Sequence, residues 1–316
     1  MIFRKSIALS TLLLSLGLWL FYCWPEVNRP FPLALGREFW PYLCLIPGVG
    51  LGFRVLHPVL RRQRLGLGLA ALLLAVNVAP WFYWLGLPSF GPHPQGLRVM
   101  SYNILSSNQD YTAIQQSVRQ ESPDILFLTE ISEEAMSELQ DRLDYPHSKR
   151  TTAGANAIFS RYPLLSVTPE YPNVSDHGKN FSLVAQVQTA QDVLTVIGIH
   201  PPIPLTRSSF IVRNQQFEHL SPFIRQISNR VIVLGDFNTS PWSPYLHQFE
   251  RDSDLASATQ GHWIFATWNF EWAWPQLFAK LPIDHVAIRG FDCLDAWTGS
   301  AGGSDHRPII AVLKPS

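Results

Sequence analysis

Residues able to ligate a hard cation or to move a proton stand at the ends of apolar runs along this chain. Val231-Ile232-Val233-Leu234 leads through Gly235 into Asp236, Phe237 and Asn238, Ile125-Leu126-Phe127-Leu128-Thr129 ends on Glu130, and Val193 to Ile199 ends on His200. Asp284-His285 opens a short β-like run, Asp305-His306 precedes Pro308 to Leu313, and Asn103 closes an alternating stretch that begins at Leu97. Carboxylate and amide oxygens suit Mg2+ or Mn2+. An imidazole titrates near neutrality and can therefore take or give a proton in the working range. Ordinary loop polar residues are the competing reading, but repeated coincidence of these types with strand ends weighs against it.

The elements that must position them follow from the pattern. Leu97 to Ile104 reads as a strand, Asp110 to Gln120 as a helix with Tyr111, Ile114 and Val118 on one face, and Ile125 to Glu130 as a buried strand. A second helix is expected over Ser132 to Leu143, a strand over Asn156 to Arg161, and a hairpin over Phe181 to Gln188 and Val193 to Ile199. Arg213 to Ile227 reads as helical and Tyr245 to Phe249 as a short turn. Strands and helices in this order favour two packed sheets with helices outside over a doubly wound sheet. No glycine-rich dinucleotide or phosphate loop, His-Glu-x-x-His or Gly-x-Ser-x-Gly is present.

The 316 residues divide by composition. Met1 to Gly96 holds eight basic and two acidic residues, while Leu97 to Ser316 holds 16 basic and 22 acidic, so the formal zero charge hides an acidic domain behind a basic, apolar start. Ser6 to Trp24 and Leu65 to Leu87 carry no charge, and Phe39 to Leu60 is interrupted only by Arg54 and His57 near its end. These runs predict a three-span transmembrane region over 1–87, a Pro/Gly linker over 88–96 and a catalytic domain over 97–316. Arg4-Lys5 and Arg61, Arg62 and Arg64 belong on the cytoplasmic side by charge bias. The expected location is therefore the cell inner membrane, multi-pass, with the large domain on the periplasmic face. No cleavage motif follows the first run, which argues for a retained span over a signal peptide. Cys23, Cys44 and Cys293 offer the large domain no disulfide framework.

Six motifs in order, Tyr102-Asn103, Thr129-Glu130, Gly198-Ile199-His200, Gly235-Asp236-Phe237-Asn238, Ile283-Asp284-His285-Val286 and Gly303-Ser304-Asp305-His306-Arg307-Pro308, resemble those of the endonuclease/exonuclease/phosphatase family of DNase I-like metal-dependent phosphoesterases. The resemblance covers nearly all of Leu97 to Ser316. It implies an α/β fold, a four-layer sandwich of two mixed sheets flanked by helices, here preceded by three transmembrane helices. It also implies hydrolysis of a phosphoester, a phosphodiester ahead of a monoester, with Mg2+ or Mn2+.

Phosphodiester hydrolysis needs a nucleophilic water, an electrophile for the developing oxygen charge, and help for the leaving oxygen. By resemblance, Glu130 is the principal metal ligand, with Asn103 and Asp305 completing or supporting the shell. His306 is the expected general base, its partner by resemblance Asp284. Asp236 and Asn238 would lie beside phosphorus, and in some family mechanisms the counterpart of Asp236 takes the proton. His200 would donate to a phosphate oxygen or aid the leaving group. Arg207 and Arg213 are candidate phosphate contacts if the loop after His200 folds inward, and Arg161, in an Asn156-to-Pro163 stretch resembling a family segment, would support Glu130 or the sheet. His285 should alternate away from Asp284.

Thr129 stands where the family commonly has glutamine, and no basic, aromatic-interleaved run marks a nucleic-acid surface. Trp272 and Trp274, in the aromatic band His262 to Phe278, could pack, touch lipid or carry an apolar substrate, and Trp268 reads as core. The expected partners are a phosphoester substrate, lipid-linked or nucleic acid, and the bilayer itself, with no protein partner indicated. An extracytoplasmic endonuclease and a phospholipid or lipid-linked phosphate phosphodiesterase are the two enzyme readings, and a noncatalytic membrane scaffold is the rival from another class.

Overall fold

In a computed structural model of the chain, the described residues are 91–151, 155–170, 182–262, 264, 266–269 and 280–316, with scattered earlier positions (13, 14, 16, 17, 20, 31–39, 42, 43, 68, 71, 72, 74, 75, 78, 79 and 84). Two compact units divide it, Met1–Gly86 and Leu87–Ser316. Within the first, a six-residue helix spans Phe31–Gly36. Among the described residues no helix is long and apolar enough to cross a membrane. The three expected spans fall mostly outside those residues, as do Trp272 and Trp274.

The second unit contains two six-stranded mixed sheets. One has the order β13 (Phe291–Thr298), β14 (Ile309–Pro315), β1 (Leu97–Asn103), β2 (Ile125–Thr129), β4 (Ala157–Ser160) and β3 (His147–Arg150). In the other the order is β5 (Leu164–Glu170), β6 (Ser182–Gln188), β7 (Val193–Ile199), β8 (Val231–Asp236), β12 (Asp284–Arg289) and β9 (Ala256–Ser257). Each sheet holds one parallel pair, β1 with β2 and β7 with β8, all other pairings being antiparallel. A short pair, β10 (Trp268–Asn269) with β11 (Lys280–Leu281), lies apart.

The central strands β1, β2, β7, β8 and β14 are largely apolar because both their faces are covered. Val99, Phe127, Ile158, Val196, Leu234 and Val286 point between the sheets. Met100, Leu126 and Phe159 face outward onto α1 (Tyr111–Glu121) and α2 (Glu133–Arg142), through Ile114, Val118 and Leu139. On the other side Ile197, Val233 and Phe237 meet Phe217, Leu220 and Phe249 of α3 (Arg207–Gln226) and α4 (Pro244–Ser253). The result is four layers, as expected. The inter-sheet gap is narrow at Gly198, where a Cβ would stand 1.9 Å from the Phe127 ring.

Helix starts follow their caps. Asp110 accepts from the Ala113 N–H and Ser132 from that of Ala135, so both first-layer helices begin one residue beyond the expected polar starts. The third helix begins at Arg207, six residues before its expected start, because Thr206 and Ser209 form a capping box. The expected turn at Tyr245 is a ten-residue helix opened by Pro244. Strand β3, His-Ser-Lys-Arg, is polar and at an edge, and β13 carries a bulge between Cys293 and Asp295. Neither shows a clean period in the sequence.

Candidate active site

The parallel pairs send the C-terminal ends of β1, β2, β7 and β8 to one end of the sandwich, and β12 and β14 begin there. Asn103, Glu130, His200, Asp236, Asp284 and His306 consequently converge. Asn103, 1% exposed, donates from Nδ2 to Glu130 Oε1 (2.9 Å) and Asp236 Oδ2 (3.2 Å), while its Oδ1 accepts from the Leu105 N–H. It thus orients Glu130 and turns its oxygen to its own loop, whereas sequence reasoning also allowed it as a direct ligand. Glu130 sits at φ +57, in the left-handed region, and its Oε2 accepts from the Ser106 N–H (3.0 Å). A non-glycine residue there costs about 1 kcal/mol, a strain that clusters at functional sites. Burial pushes the Glu130 carboxyl up, but the Asn103 amide, the Ser106 N–H and then His200 and His306 outweigh it and hold it below the usual range.

Across the gap, His306 lies between two carboxylates. Its Nδ1 donates to Asp284 Oδ2 (2.8 Å), and its Nε2 stands 3.6 Å from Asp236 Oδ2. Asp284 is itself fixed by its N–H donating to the Thr267 hydroxyl (3.0 Å). Burial would drive the proton off His306, yet Asp284, Asp236 and Asp305 prevail and push the imidazole up to about 10. Burial likewise raises the Asp236 carboxyl to about 6, with Asp284 adding to it against His306, His200 and the Asn238 N–H. His200 Nε2 lies 3.5 Å from Asp236 Oδ2 and 3.9 Å from Glu130 Oε1, and so bridges the two halves.

Asn238, at φ +50, is held at three atoms. Its N–H donates to Asp236 Oδ1 (2.9 Å), its Nδ2 to the Pro201 carbonyl (3.0 Å), and its own carbonyl accepts from Arg213 Nη1 (2.9 Å). Arg213 is 0% exposed and lies over Phe210 and Tyr245, which corrects its assignment as a phosphate contact: it braces the backbone behind the site. Arg207 is exposed in the first turn of α3. Arg161 donates to the Pro123 carbonyl at the start of β2, the end remote from Glu130, so of its two expected roles it takes support of the sheet. His285 turns to the outer face and donates to the Thr239 carbonyl (2.8 Å).

Asp305 accepts from the Trp268 indole (3.0 Å) at Oδ2, and its Oδ1 is buried without a hydrogen-bond partner. Trp268, expected in the core, is half-buried and serves the site instead. Thr267, Trp268, Ser304 and Ser106 are the contributors that residue-type reasoning passed over. Ser304 accepts from the His306 N–H and donates to the Asn103 carbonyl, tying the last loop to β1. The signal for Thr267 and Trp268 was the likeness of Thr267-Trp268 to a family segment ahead of Ile283-Asp284. The Thr129 hydroxyl is buried and without a hydrogen-bond partner, so the replacement for glutamine contributes no side-chain bond to Glu130.

Among the described residues, Glu130, Asp236, Asp284 and Asp305 face two histidines, His200 and His306. This anionic surplus, the hard-oxygen donors and the Oδ1 atoms of Asp284 and Asp305, both buried without a hydrogen-bond partner, fit a divalent cation at this site. Asp236, Asp284 and His306 also bring ligand-type atoms within 4.8 Å of one another. There, however, the imidazole already occupies the space between the carboxylates, an arrangement suited to carrying a proton. Two cavities elsewhere, of about 280 and 700 Å³, are lined by none of Glu130, His200, Asp236, Asp284, Asp305 and His306.

A sequence model of the Endonuclease/Exonuclease/phosphatase family matches residues 100–306. Among solved structures, D. rerio TDP2 complexed with single strand DNA product is similar at TM-score 0.60 and 15% identity, over 70% of this chain and 100% of that one. Sphingomyelinase C from Streptomyces griseocarneus is similar at TM-score 0.55 and 17% identity, over 69% and 99%. An endonuclease/exonuclease/phosphatase from Beutenbergia cavernae DSM 12333 gives 0.53 and 18%, over 71% and 72%. No curated protein matches the chain.

Proposed function

The chain belongs to the endonuclease/exonuclease/phosphatase family, whose members are divalent-metal-dependent phosphoester hydrolases, and from that premise we propose that it hydrolyses a phosphodiester in a membrane-tethered, extracytoplasmic domain. The observation that carries the catalytic part is the Asp284–His306–Asp236 series facing Glu130 across one cleft, with His200 3.5 Å from Asp236 and 3.9 Å from Glu130.

Glu130 and Asp305, with Asn103 fixing Glu130, would hold Mg2+ or Mn2+, whose chemistry there is polarisation of a nonbridging phosphate oxygen. Asp284 binds His306 Nδ1 and so holds the ring with Nε2 toward Asp236. A water between His306 Nε2 and Asp236 meets a carboxylate that is ionised above about pH 6 and takes its proton, beside an imidazolium that steadies that carboxylate, so the base is Asp236 and not the His306 expected from the sequence. Asn238, immobilised at three atoms, orients that water against phosphorus without having to reorganise. His200, with side-chain exposure of 21%, is the donor nearest the mouth and the candidate to protonate the leaving oxygen.

The tether is supported by the uncharged runs Ser6 to Trp24 and Leu65 to Leu87 and by the basic clusters flanking them. Protease protection tests it: cleavage of the large domain from the cytoplasmic side would overturn the orientation. The activity is tested by offering the purified full chain bis(p-nitrophenyl) phosphate, phospholipid vesicles and single- and double-stranded DNA. Turnover should require Mg2+ or Mn2+, stop with chelator and return on adding metal back. Folded, metal-loaded protein that turns over none of these would leave the noncatalytic scaffold standing.

A further inference from the structure

The segment after His200 reads Pro201-Pro202-Ile203-Pro204-Leu205-Thr206-Arg207 and then enters α3. Pro201 and Pro204 are buried, whereas Ile203 is 43% exposed, Leu205 72% and Ile211, one turn beyond Arg207, 42%. Isolated exposed aliphatics need no explanation. Here, though, three of the five exposed large hydrophobic side chains described between Leu97 and Ser316 fall within nine residues that follow closely on His200. The segment is preformed. Prolines fix its backbone, the Leu205 N–H donates to the Ile203 carbonyl (2.9 Å), and the Thr206–Ser209 capping box sets the helix start. It is also joined to the site, since Asn238 binds the Pro201 carbonyl and is bound by Arg213, two residues past Ile211.

We propose that Ile203, Leu205 and Ile211 form a docking rim that seats the catalytic mouth on a phospholipid bilayer, so that the phosphodiester cleaved is a lipid headgroup linkage. This rests on the phosphoesterase reading and narrows its substrate. Three observations choose lipid over nucleic acid as the occupant. The tip is aliphatic, so it offers no ring on which a base could stack. The domain carries 22 acidic against 16 basic residues, which opposes a polyanion, while exposed Arg207 beside the tip is placed as a headgroup-facing cation. The same chain also begins with long uncharged apolar runs, which put a bilayer within its reach. Leu97 and Asn103 lie at opposite ends of the seven-residue β1, roughly 20 Å apart, so a lipid contact beside the site would be made by residues of the site's own end of the domain. A preformed rim loses little conformational freedom on insertion.

The test uses the full chain reconstituted in phosphatidylcholine/phosphatidylglycerol vesicles. In one arm Leu205→Cys, in a chain whose Cys23, Cys44 and Cys293 are replaced by serine, carries a fluorophore, and doxyl-labelled lipid is added. Strong quenching supports the rim whether or not any substrate is turned over, and its absence overturns it. In the other arm Ile203, Leu205 and Ile211 are all changed to serine. Hydrolysis of bis(p-nitrophenyl) phosphate should stay within about twofold while hydrolysis of vesicle phospholipid falls about tenfold or more. Equal rates on vesicles, equal loss on both substrates, or a wild type that cleaves DNA and ignores phospholipid would each overturn the proposal. A wild type inactive on every phosphoester would instead remove the reading beneath it, with the quenching result still deciding the lipid contact.

Discussion

The two ends of the sandwich use the same kinds of residue to opposite effect. At the end remote from the site, charges are neutralised locally: Arg161 lies 4.0 Å from Asp124, and Arg230 pairs with Asp192. At the other end Asp236 and Asp284 are buried, Glu130 and Asn238 adopt left-handed backbone, and carboxylates outnumber histidines. Paired, partly exposed charges contribute little to stability. Buried unbalanced ones cost stability, and a fold keeps them where the imbalance has a use.

The contrast predicts a graded series of losses. His306→Ala and Glu130→Ala should each lower turnover about a thousandfold, measured as kcat with folding checked by circular dichroism. Retained activity in either would dissolve the distinction between the two ends. Arg213→Met should cost about tenfold in kcat with KM little changed, because the Asn238 carbonyl loses its donor, and Arg213→Lys should recover part of it. A pure KM effect would return Arg213 to the substrate. Asp192→Asn, at the remote end, should leave kcat within about twofold and unfolding within about 1 kcal/mol.

An effect on stability alone belongs to a group in neither set. Burial pushes Glu250 of α4 up to about 7, so the folded state retains a proton that the unfolded chain releases near 4.5. Its favourable contribution is present below pH 4.5 and lost as pH rises through 7. Glu250→Gln should therefore stabilise by about 1–2 kcal/mol at pH 8, and the gain should vanish near pH 4.5. A pH-independent difference in denaturant midpoint would refute this.

Much of this organisation is legible in residues alone. Strands covered on both faces read as unbroken apolar runs, so the change to Asp236, Glu130 or His200 marks where cover ends and a site begins. Arg213 was misread for a geometric reason. With α3 starting at Arg207, Phe210, Arg213, Asn214, Phe217, Leu220 and Ile224 share its inward face, whereas a helix starting at Arg213 leaves that side chain at an open end. The capping box at Thr206 and Ser209 held the missing information. Strand β3 had none to give, because a polar edge strand has neither period nor apolar content. The Trp268–Asp305 bond joins residues that are remote in sequence, and their side-chain types do not specify it.

Glu130 and Asn103 hang from one sheet, His200, Asp236 and Asp284 from the other, and Phe127 and Gly198 lie a few residues below them. The aromatic ring seated on a residue with no side chain acts as a gauge block between the two slabs. The distance over which an oxygen must reach phosphorus is thus machined in hydrocarbon, well inside the protein, by atoms that never meet the substrate.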